Sequence, residues 1–128
     1  MKFDAKIPPR SFIVGNDVRF EMKDCGSLTL ATDEQVTFMT ESGAEYDVAR
    51  KNWGFYATPS LNGRLTAFGL RGVLIRNSIT GRYFVLLVEK GREPDFEAYL
   101  QQERCEIVTW LDSSETLDGL RQAILQNR

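Results

Sequence analysis

The sequence predicts an α+β fold: a mostly antiparallel β-sandwich or open barrel of about 7–9 strands with two C-terminal helices. Three observations lead there. Apolar residues alternate with polar ones through most of the first ninety positions, the period of a half-buried strand. Clusters of Gly, Asn, Asp, Ser and Pro punctuate that alternation as turns do. After Gly91 the apolar spacing changes to that of a helix face. Residues 1–128 read as a single domain, since no repeat, low-complexity tract or linker divides them.

The N-terminal segment ends in Ile7-Pro8-Pro9-Arg10. Paired prolines favour an extended polyproline lead-in without ladder bonds. Ser11-Phe12-Ile13-Val14 follows as a short strand, then Gly15-Asn16-Asp17 as a turn. Val18, Phe20 and Met22 alternate with Arg19, Glu21 and Lys23, completing a first hairpin. Cys25-Gly26 is expected to break it, with Leu28 and Leu30 in a further strand. Val36, Phe38 and Thr40 alternate again up to Ser42-Gly43-Ala44. A three-residue loop there would set Phe38 opposite Val48 and Thr40 opposite Tyr46, with apolar groups on one face.

The clearest hairpin is 72–77 with 82–88 around Ser78-Ile79-Thr80-Gly81. A four-residue loop faces Asn77 with Arg82 and Ile75 with Phe84. Both resulting faces are substantially apolar, so this hairpin belongs at a sheet centre covered on both sides or at a subunit interface. Pro94 opens a helix, with Phe96, Tyr99 and Leu100 on one side. Cys105 to Leu111 returns to a strand. Asp112 and Glu115 resemble a capping box. Leu117, Leu120, Ile124 and Leu125 then form the stripe of a terminal amphipathic helix.

Histidine is absent, which excludes Ser-His-Asp and Cys-His pairs, His-ligated zinc and an imidazole shuttle. The two cysteines, Cys25 and Cys105, are expected to be free, mostly buried thiols of a reducing compartment. No apolar run reaches bilayer length and no apolar leader opens the chain, so a cytoplasmic, soluble protein is expected. The sequence assigns no cofactor, no metal and no catalytic set. Tyr56, Tyr83, Lys51, Cys25 and Asp47 could each do acid-base or nucleophilic work, but none has a partner at diagnostic spacing. Neither GxxxxGK[ST] nor GxGxxG occurs.

The charge pattern is the most informative feature. Of 16 basic and 18 acidic residues, six basic and no acidic ones fall between Val48 and Val88: Arg50, Lys51, Arg64, Arg71, Arg76 and Arg82. That region opens with Trp53-Gly54-Phe55-Tyr56 and a turn-rich Thr58-Pro59-Ser60-Leu61-Asn62-Gly63. The aromatics serve either as core or as stacking platforms. The cations serve either an anion or the acidic flanks of the same fold. The expected binding set is Arg50, Trp53, Tyr56, Asn62, Arg64, Arg71 and Arg76. The expected function is a non-catalytic module for an anionic small molecule, such as a phosphorylated sugar or nucleotide, or for an acidic protein surface. A small enzyme on a similar ligand and a homodimeric structural subunit are the alternatives. A homodimer is expected. Nucleic acid is disfavoured by the acidic balance, and no membrane partner is expected.

Overall fold

The computed structural model describes residues 1–15, 17–56 and 60–127. The order is β1 (Lys2–Val14), β2 (Phe20–Thr29), β3 (Gln35–Met39), β4 (Glu45–Lys51), β5 (Gly54–Tyr56), α1 (Arg64–Ala67), β6 (Leu70–Asn77), β7 (Tyr83–Glu89), α2 (Glu93–Glu103), β8 (Cys105–Trp110) and α3 (Ser114–Gln126). The chain is α+β, with two of its helices C-terminal as predicted, and consistent with an open barrel or sandwich. The strands form three antiparallel sheets, ordered β1-β2, β3-β4-β5 and β7-β6-β8.

The third sheet carries the main core. β6 is its central strand, with Ile75 opposite Phe84 and Arg76 opposite Tyr83 as the four-residue loop requires. The Asn77 amide donates to the Arg82 carbonyl at 2.8 Å to close the loop. Val73, Ile75 and Val88 meet Phe96 and Leu100 of α2. Each such side chain contributes about 1.5–3 kcal/mol when fully buried. Trp110 packs edge-on against Phe96, with ring centres 5.9 Å apart. On the opposite side Leu87 joins Ala44, Leu65, Leu70, Tyr46 and Leu61 in a second cluster. The expectation of an apolar pair of faces therefore holds near the strand centre. Towards the loop Tyr83, Phe84 and Val85 remain exposed.

The sequence did not anticipate α1. Its turn is built locally: the Ser60 hydroxyl accepts from the Arg64 amide at 2.8 Å, and the Thr66 hydroxyl donates to the Gly63 carbonyl at 2.8 Å. This single helical turn carries Leu65, which is fully buried.

In the second sheet the register differs from the expected one. Val36 lies opposite Val48, and Phe38 opposite Tyr46. The strand stops at Met39, because the Thr40 hydroxyl accepts from the Ala44 amide and the Thr40 amide donates to the Ala44 carbonyl. That pairing closes the loop around Glu41, Ser42 and Gly43, one position earlier than the expected Ser42-Gly43-Ala44. A slip of two positions keeps every side chain on its expected face, so Phe38 still stacks on Tyr46 at 6.3 Å.

The first sheet departs most. Pro8 and Pro9 lie inside β1 rather than before it, and Cys25-Gly26 lies inside β2. The pairing shifts register between Ala5 and Arg10, where the chain is irregular. That irregularity admits prolines, which have no amide to give the ladder. Gly26 sits there with φ +142°, and a Cβ on it would lie 2.2 Å from the Asp4 carbonyl oxygen. One long hairpin replaces the expected short ones. The helix cap also differs: Ser113, not Asp112, accepts from the Thr116 amide at 3.3 Å. Asp112 is occupied by Arg71.

Candidate functional site

The β4–β5 hairpin sets the site. Lys51 pairs with Gly54, so Asn52 and Trp53 form a two-residue tip, and Gly54 has φ +144°. Such a turn demands a residue free to adopt positive φ nearby. Arg50 pairs with Phe55, and Ala49 with Tyr56. Cross-strand partners share a face. One face therefore carries Arg50 and Phe55 with Val48 and Tyr46. The other carries Tyr56 between Asp47 and Lys51.

Trp53, Phe55 and Tyr56 are 68%, 61% and 54% exposed, so these aromatics are not core; they lie at the tip and on both faces of the hairpin. The sequence could not tell these uses apart, because an aromatic run reads the same in either setting. The signal it held was Asn52 and Gly54 flanking Trp53, a tip chemistry that places an aromatic at the end of a hairpin.

The cations are largely engaged within the fold. Arg64 Nη2 lies 3.1 Å from Asp47 Oδ2, and its guanidinium sits 5.3 Å from the Phe68 ring centre. Asp47 also accepts from the Thr37 hydroxyl at 2.7 Å. Arg50 Nη1 donates to the Leu30 carbonyl at 3.0 Å, and Lys51 Nζ meets Asp33 Oδ1 at 2.5 Å. Arg71 donates to Asp112 at 2.6 Å and Glu93 at 3.2 Å, and stacks 3.9 Å from the Trp110 ring centre. The Asp112 hydrogen bond holds the Arg71 guanidinium more firmly protonated than usual. The same bond holds the Asp112 carboxyl below its ordinary value. Arg76 lies 3.6 Å from Glu106 and over Tyr83.

The seven expected binding residues thus divide. Arg50, Trp53 and Tyr56 belong to the β4–β5 hairpin, and the Arg64–Asp47 contact joins Arg64 to it. Arg71 and Arg76 stand five positions apart on β6, so strand alternation sends them to opposite faces. Asn62 donates to the Ser114 hydroxyl at 3.0 Å, tying the turn before α1 to the start of α3. Thr58 and Pro59 lie outside the described residues.

Clefts also lie elsewhere among the described residues. One of about 200 Å³ is bordered by Asn77, Tyr99, Glu103 and Cys105. There the Asn77 amide nitrogen donates to the Glu103 carbonyl, while its oxygen accepts from the Ile79 and Thr80 amides. Burial, then Glu103, pushes the Tyr99 phenol up, keeping its proton on. Another, about 310 Å³, lies between Ser42–Ala44 and Ala67–Gly69 beside Glu89 and Lys90. Glu89 there accepts from the hydroxyls of Thr40 and Ser42.

Among the described residues no three of Cys, Asp and Glu gather as a metal site. Both cysteines are free thiols, but Cys25 is exposed and Cys105 only half-buried; Cys25 lies in the first hairpin, on which no other described element packs extensively. Tyr83 is exposed on β7 of the third sheet, whereas Tyr56, Lys51 and Asp47 belong to the second. No helix among the described residues is long and apolar enough to cross a membrane. Comparison with protein families, curated proteins and solved structures gives no match.

Proposed function

We propose that this chain is a single-domain, non-catalytic cytoplasmic module that binds an acidic protein surface and works as a homodimer. The observation that carries the reading is the exposed aromatic tip, Trp53-Gly54-Phe55-Tyr56, with Arg50 on its Phe55 face and Arg64, held by Asp47, on its Tyr56 face. Small-molecule sites are concave and bury most of their ligand, whereas this surface is a projecting hairpin edge. Exposed aromatics with arginine are the composition of interface hot spots. An acidic partner surface therefore fits better than a phosphorylated sugar or nucleotide. Arg50 and Arg64 would exchange their internal partners for carboxylates of the partner.

Calorimetric titration of the full chain with an acidic, tyrosine-containing peptide, with ATP and with inorganic phosphate tests this. The expected result is peptide binding that weakens at least about tenfold in Trp53→Ala, as truncating a hot spot does. Added salt should weaken it too, through screening. Tight binding of ATP or phosphate with the peptide silent would overturn the choice of partner. Peptide binding unchanged in Trp53→Ala would overturn the surface.

A further inference from the structure

The hairpin β1–β2 and helix α3 present apolar faces that no other described element covers extensively. In the β1–β2 hairpin the register sets Phe3 beside Leu28, Phe12 beside Met22 and Val14 beside Phe20. Alternation along β2 places these six on one face, where the Arg10–Asp24 ion pair interrupts them near the register shift, while Lys2, Asp4, Ser11, Ile13, Glu21, Lys23 and Ser27 take the other. Phe3, Phe20, Met22 and Leu28 are between 41% and 56% exposed. Neither strand packs extensively on any other strand or helix among the described residues. Ion pairs tie the hairpin near its ends, Met1 amine to Glu34 and Asp17 to Arg104. Helix α3 repeats the situation. It has no buried residue, and Leu120, Ile124 and Leu125 stand exposed along one stripe.

We propose that a second copy of this chain covers both faces, in a two-fold dimer built from the hairpin and α3. The area supports it. A compact protein of 14.6 kDa exposes about 6,900 Å² by mass scaling, and this chain exposes 9137 Å². The excess, about 2,200 Å² per protomer or about 4,400 Å² for a pair, is within the total area that obligate dimers bury. A lone two-stranded hairpin is also marginal in water, yet this one has 13 residues in its first strand, a reach of about 40 Å. It needs a cover to persist. Charge permits a like partner: Lys2, Lys6, Arg10, Arg19 and Lys23 nearly balance Asp4, Asp17, Glu21 and Asp24 within the hairpin. Because each copy brings both uncovered faces, a two-fold operation satisfies both at once.

This inference deepens the homodimer of the proposed function and is independent of its aromatic surface. Its failure would leave the Trp53 titration intact, and the reverse also holds. Sedimentation of the full chain between about 1 and 100 μM, a range over which dimer dissociation shows as mass action, should give twice 14.6 kDa. Phe12→Glu with Met22→Glu should weaken association at least tenfold, as should Leu120→Glu with Ile124→Lys. Ile13→Ser should leave it unchanged, since Ile13 lies on the same strand but the opposite face. Near-ultraviolet dichroism reports whether the core survives in each variant. If the hairpin variant does not fold, the α3 variant carries the test alone, because that helix buries no residue in its own protomer. A wild type that stays at 14.6 kDa, or an Ile13→Ser variant weakened as much as the others, overturns the proposal. So does a monomer whose hairpin becomes protected only on adding phosphatidylcholine vesicles, which would give the face to lipid.

Discussion

The Nε of Arg71 donates to Oδ2 of Asp112 across 2.6 Å, joining the central strand of the main sheet to the segment that launches α3. The Arg71 side chain is only 26% exposed and that of Asp112 16%, so solvent screens this pair less than the other cation pairs of the fold. Hydrogen bonds to charged groups contribute roughly 1.5–3 kcal/mol. Arg71→Ala should therefore lower stability by about 2–3 kcal/mol, measured by urea unfolding. Arg71→Lys should recover only part of that, because the ammonium lacks the planar fork that meets Asp112 and stacks on Trp110.

The same pair determines part of the response to acid. Asp112 is held below its ordinary value by the Arg71 hydrogen bond, so its folded pKa is depressed. Its stabilisation is fully present above the ordinary carboxylate value of about 4 and is lost as pH falls through the lower folded value. Unfolding free energy measured from pH 6 downward should decline in the wild type across that window. In Asp112→Asn the chain should be weaker at pH 6 and its decline shallower. An equally steep decline in Asp112→Asn would assign the acid response to other carboxylates.

Arg64 separates a structural cation from a recognition one. Its pair with Asp47 is exposed on the arginine side, 59% for the Arg64 side chain, and exposed pairs contribute about 0–1 kcal/mol. Arg64→Ala should thus move the melting temperature little. If Arg64 reaches a partner carboxylate, the same variant weakens peptide binding by about tenfold or more, and Arg64→Lys weakens it too. Melting and titration on one preparation decide the matter: a lower melting temperature with unchanged affinity would make Arg64 purely structural.

Gly26 sets the shape of the hairpin arm. At φ +142° with a Cβ position 2.2 Å from the Asp4 carbonyl oxygen, it accepts no side chain without moving the backbone. Strain of this type costs about 1–3 kcal/mol. Gly26→Ala should speed hydrogen exchange across β1 and β2 and weaken the proposed dimer, while amides of β6, β7 and β8 keep their protection. Loss of protection in all three sheets together would mean that the arm folds as one unit with the body.

The alternating pattern and the change of period after Gly91 determined the α+β class and the placing of two helices at the C-terminal end. Local sequence also determined the register of the 72–88 hairpin, because a short loop between regular strands leaves few pairings. It determined that the middle of the chain is cationic and that aromatics cluster at 53–56. Only the tertiary structure decided how those features are used. Whether Trp53 is core or surface depends on what packs over it, and nothing in its own neighbours states that. Arg71 and Arg76 look alike in the chain, yet strand alternation separates them across a sheet, and Asp112, Glu93 and Glu106 come to them from distant positions. The long first hairpin was hidden for a related reason: prolines and a glycine weaken a strand locally, and only the register shift opposite Gly26 shows that pairing continues past them. Burial and ion pairing are decided by residues far apart in sequence, and periodicity reports only on neighbours.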